Sequence, residues 1–77
     1  MVRLKNIKIE GRVAEADFYP EDSKVCGHVV VDLENRRITD FHDVPGFGES
    51  YRGHAFRQLI RMAKENDKRT ECLVMWY

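Results

Sequence analysis

"VCGHVVVDLENRRITDFHD", residues 25–43, decides the fold, because it reads as two strands facing each other across a short polar connection. Val29, Val30 and Val31 are β-branched and make the clearest strand in the chain, "ENRR" is the connection, and "ITDFHDV" returns as the partner. Pairing Leu33 with Ile38 sets His28 opposite Asp43 and turns His42 to the other face. On that register His28 and Asp43 form a cross-strand hydrogen bond, and the two histidines cannot share a metal ion.

Upstream, Ile7, Ile9, Gly11 and Val13 alternate with charged residues at the period of a half-buried strand, and Ala14, Ala16 and Phe18 continue one residue out of phase. The slip implies a bulged or bent strand, with a turn at Glu10-Gly11-Arg12 as the alternative. Pro20, Asp22 and Ser23 then turn the chain into the hairpin.

Downstream the period becomes helical. Phe56, Leu59, Ile60 and Ala63 fall at i, i+3, i+4 and i+7, with Ala55 and Met62 on the borders of the stripe, and Asn66-Asp67 ends the helix. "ECLVMWY" reads as a last strand. A strand, a helix and a further strand imply a crossover between parallel strands of one sheet. The expected architecture is therefore one α+β domain over residues 1–77: a mostly antiparallel sheet of about four strands with one helix packed on one face.

Composition agrees. A 77-residue chain, 43% apolar and 34% charged, has room for one small core. At this length a homodimer would help bury surface. The longest aliphatic run is three valines and no signal-peptide pattern opens the chain, so the expected setting is the cytoplasm with no membrane partner. Cys26 and Cys72 lie in apolar segments as buried free thiols, and their isolation makes no zinc motif. Net charge is zero but uneven: residues 1–50 hold seven Lys/Arg against ten Asp/Glu, and residues 51–77 hold six against three.

Chemistry is sought first in "DVPGFGESYRGHAFRQLIR", residues 43–61. Gly46, Gly48 and Gly53 permit close backbone approach, Ser50 suits a helix cap, and Arg52 and His54 flank the same helix end. Together they would offer several donors and a helix dipole to a phosphate-bearing small molecule. Neither GxxxxGK[ST] nor GxGxxG is present, no Ser-His-Asp or Cys-His constellation is spaced for catalysis, and no metal motif stands out.

The segment "VVVDLENRRITDFHDVPGFGESYRGHAFRQLIRMAKE" resembles the strand-strand-loop-helix core of the GNAT superfamily of acetyl-CoA-dependent N-acetyltransferases, over about half the chain. Arg52-Gly53 matches the family's Arg-Gly opening, while Ala55 and Arg57 stand where the family has glycines. The resemblance implies a reduced acyl-CoA-binding protein with acetyl-CoA as its ligand, its pyrophosphate held by backbone amides at the helix start.

On the polar side of the helix, Arg57, Arg61, Lys64 and Lys68 recur at i, i+4, i+7 and i+11 along one edge. They could follow a nucleic-acid backbone, with Trp76 and Tyr77 available for stacking. The reading that residues favour is a non-catalytic binding module centred on the 46–54 loop. Acyl-CoA binding and nucleic-acid binding are its alternatives.

Overall fold

A computed structural model describes residues 1–76 and contains five strands and one helix. In chain order they are β1 (Val2–Glu10), β2 (Val13–Pro20), β3 (Gly27–Asp32), β4 (Arg37–His42), α1 (Ser50–Lys64) and β5 (Cys72–Val74). The sheet order is β4-β3-β2-β1-β5 with every neighbouring pair antiparallel, and α1 covers one face, as the sequence pattern implies. The alternation of directions makes β4 and β5 parallel, so α1 does connect parallel strands. They lie at opposite edges of the sheet, not side by side.

The N-terminal segment is two strands rather than one bent strand. Gly11 takes φ +59° at the first position of a two-residue connection, a conformation cheap for glycine, and β2 pairs back on β1 from Glu10–Val13 to Val2–Pro20. The irregularity sits inside β1 instead, between Lys5 and Lys8, where Asn6 has φ +54°. This bulge explains the parity of the sequence: Leu4 and Ile7 both reach the core although three residues apart. The amide of Ile7 donates to the Thr70 carbonyl at 2.8 Å, fastening the bulge to the approach to β5.

The β3–β4 hairpin also departs from the expected register. Asp32 accepts from the amides of Glu34 and Asn35 at 3.0 and 3.2 Å and from the Asn35 side chain at 2.8 Å, which folds the connection tightly. Val31 therefore pairs with Ile38, and a bulge at Thr39 makes Val30 face Asp40 and His28 face His42. The two imidazoles stack at 6.1 Å on the open face of the sheet, and the partner of His28 is Asp17 on β2, not Asp43. Gly27 is required here: a Cβ would strike the Phe18 ring and come within 2.6 Å of the His42 carbonyl oxygen.

Val2, Leu4, Ala14, Phe18, Val29 and Val31 line the covered face, and Ala55, Leu59 and Met62 meet them from α1. The buried line of the helix is thus displaced from the centre of the apolar stripe, leaving Phe56, Ile60 and Ala63 half-buried on one side. Cys26 and Cys72 are free thiols, each half-buried rather than fully buried, and burial pushes the Cys72 thiol up. Among the described residues no helix is long and apolar enough to cross a membrane.

Candidate functional site

The helix start is held by its own neighbours. Val44 accepts from the Phe47 amide at 3.1 Å across a turn in which Gly46 has φ +88°, and Gly48, Glu49 and Ser50 follow exposed. Glu49, not Ser50, occupies the N-cap position, and no side chain caps the helix. The Gly53 amide donates to the Glu49 carbonyl at 3.1 Å. Arg52 is only 17% exposed; its guanidinium donates to Asp43 at 2.9 Å and to Glu49 at 3.3 Å, and it lies 3.8 Å from the centre of the Phe41 ring. The charge opposite this helix end is supplied from within the chain by two carboxylates.

His54 belongs to an aromatic cluster on one flank of α1. Its ring stacks on Trp76 at 3.8 Å with an interplanar angle of 12°, Tyr51 meets Trp76 edge-on at 5.5 Å, and Phe47 meets Tyr51 at 5.6 Å. The Tyr51 hydroxyl donates to Glu21 at 2.9 Å, and this hydrogen bond raises the phenol pKa above its ordinary value. Burial, and then the nearby charge of Arg57, lower the pKa of His54. Trp76, past the end of β5, is thereby a cover for the helix; Tyr77, its companion in the sequence pattern, lies outside the described residues.

The opposite flank of α1 is open. Phe56, Ile60 and Ala63 form one wall and floor of a trough whose other wall is made by Ile9 and Gly11 of the β1–β2 hairpin and Leu33 and Arg36 of the β3–β4 connection. Three contiguous depressions, of about 240, 490 and 260 Å³, share Ile9, Ala63 and Lys68 at one end and Arg36 and Ile60 at the other. Arg57, Lys64 and Lys68 stand along the helix side and Arg36 across from them, and among the described residues none of the four forms an ion pair. Arg61, the remaining residue of the basic edge, is not among the residues lining these three depressions and meets Glu65 at 3.5 Å. Lys68 lies beyond the helix end, where Asn66 with φ +56° redirects the chain back toward the trough. At that end Arg69 binds Asp67 at 2.7 Å and, by this hydrogen bond first, lowers the Asp67 pKa.

Arg36 had no signal of its own in the sequence. It belongs to a short polar connection, and only the hairpin's fold carries it, at φ +53°, to the mouth of the trough. Spacing along one helix cannot reveal a residue contributed by another element.

On the uncovered face of the sheet, His28 Nδ1 lies 2.7 Å from Asp17 and its Nε2 3.7 Å from Glu15, while the Asn6 side chain donates to Asp17 at 2.8 Å. Burial opposes ionisation of Asp17, but the hydrogen bonds from Asn6 and His28 outweigh it and hold its pKa below the ordinary value. Among the described residues no three His, Cys, Asp or Glu side chains are grouped to hold a metal ion. Comparison with protein-family models, curated proteins and solved structures returned no match to the chain.

Proposed function

We propose that this protein is a binding module that holds an anionic partner in the trough beside α1. The observation that carries this reading is the set of four cations, Arg36, Arg57, Lys64 and Lys68, that form no ion pair among the described residues and are gathered from three segments around two adjoining depressions. Cations left without intramolecular partners around a concave, low-dielectric surface concentrate the local positive potential and attract anions. The helix start has a different balance, because Asp43 and Glu49 already face Arg52.

The test is a titration of polyphosphate at low ionic strength, followed by backbone amide shifts of the isotopically labelled chain. Binding in the trough moves Arg36, Arg57, Ile60, Lys64 and Lys68 together and weakens as salt is added. Shifts confined to Gly48, Ser50, Tyr51, Arg52 and Gly53 would instead place the anion at the helix start. No shift at either place would remove anion binding as the function.

A further inference from the structure

We propose that the occupant of the trough is an acidic peptide segment in which aliphatic and acidic residues alternate; this rests on the trough being the anion site. Three features point to that chemistry. The depression is elongated and open: from Phe56 to Ala63 it follows the helix for roughly 10 Å and continues past the helix end to Lys68, where the two carboxylates that line it, Glu10 and Asp67, are each met by a cation, Lys8 at 3.9 Å and Arg69 at 2.7 Å. An extended chain rises about 3.3 Å per residue, so roughly five or six residues lie along it.

Its floor is aliphatic. Ile9, Leu33, Ile60 and Ala63 line the middle, and among the described residues Phe56 is the one aromatic side chain, at the far end. Single-stranded nucleic acid gains much of its affinity by stacking bases on aromatic rings, and this floor gives it little to stack on. A purely acidic partner would leave the aliphatic floor wet. Side chains of an extended peptide alternate between two faces, so every second residue can rest on the floor while the others face outward. The outward set meets Arg57, Lys64 and Lys68 from the helix side and Arg36 from the hairpin side, long side chains able to fold over a bound strand. Alternation of aliphatic and acidic residues satisfies both surfaces at once.

Three probes of equal charge are titrated into the full chain at low salt: a peptide alternating Glu with Leu, the same peptide with Ser for Leu, and an oligothymidylate. The Leu peptide is expected to bind about tenfold more tightly than the Ser peptide, with shifts at Leu33, Ile60 and Ala63 that the Ser peptide does not produce. Leu33→Ser should abolish that preference, and Ile9→Thr, which keeps a β-branched shape in β1, gives the same reading if Leu33→Ser fails to fold. Equal affinities for the two peptides overturn the proposal while leaving the anion site intact. Tighter binding of the oligonucleotide than of either peptide overturns it in favour of nucleic acid, and binding of none of the three removes the anion site along with it.

Discussion

On one flank of α1, Tyr51 and His54 lie under Trp76, with Phe47 and Glu21 closing the contact; on the other, Phe56, Ile60 and Ala63 end at a trough rimmed by cations that form no ion pair among the described residues. Both flanks border the same buried line of Ala55, Leu59 and Met62. What separates them is whether a later part of the chain returns. The segment after β5 brings Trp76 back over the first flank, whereas the two hairpin connections stop short of the second and contribute Gly11 and Arg36 to its far wall. A helix laid across a small sheet has more apolar width than the sheet covers, and the remainder must be covered by chain or offered to a partner.

If the first flank is structural, Trp76→Ala has the largest effect on stability. Removing a packed aromatic side chain costs about 3 kcal/mol, which in a domain this small lowers the melting temperature by more than ~10 °C. Thermal unfolding monitored by circular dichroism measures it. A melting temperature within a degree or two of the parent would mean that Trp76 is not the cover that its stacking on His54 implies, and that both flanks are open.

Arg52→Gln probes the helix start between them. Its ion pair with Asp43 is partly buried and one Asp43 oxygen already lacks a partner among the described residues, so loss of the guanidinium costs about 1.5 kcal/mol. Affinity for polyphosphate should stay unchanged, because the trough is untouched. If instead binding of polyphosphate or coenzyme A disappears while stability is retained, the anion site belongs at Gly46–His54 and the acyl-CoA reading gains its support.

The combined replacement of Arg36, Arg57, Lys64 and Lys68 by Gln sharpens the contrast from the other side. Solvated side chains without partners change stability by about 0.5 kcal/mol or less apiece, and relief of their mutual repulsion offsets part of the loss of Lys64 at the helix C-terminus. The melting temperature should therefore move little, while polyphosphate binding falls at least about tenfold and loses its salt dependence. Unchanged binding would show that the trough's charges do not select its partner.

These two flanks also mark what the sequence makes legible. The run Val29–Val31, the polar connection and the helical spacing from Phe56 to Ala63 follow from local periodicity, and they suffice for an antiparallel sheet carrying one helix. Register does not follow, because it depends on an Asp32 carboxylate gripping two amides and on bulges at Asn6 and Thr39. An apolar stripe gives its width but not which part of it the sheet covers. Arg57, Lys64 and Lys68 are visible as a basic edge, yet Arg36 and the aliphatic floor come from other elements, and only tertiary contacts bring them together.

The smallest effect is a pH dependence carried by the covered flank. Burial first, and then Arg57, hold the His54 pKa below its ordinary value of 6.5. A base whose folded pKa lies below the unfolded one binds fewer protons when folded, so between the two values the unfolded chain takes up the proton and stability decreases as pH is lowered. The contribution is complete above 6.5 and declines as pH drops toward the folded value. Asp17, Asp32 and Asp67 also have lowered pKa values, but their contribution is present above the unfolded carboxylate pKa of about 3.9 and is lost only at lower pH, so the two windows separate. Urea midpoints at roughly pH 7.5 and 5.5 should differ more for the parent than for His54→Gln, with Trp76 fluorescence reporting the loosening. Equal differences would mean that protonating His54 does not disturb its stack on Trp76, and that the covered flank holds by aromatic area alone.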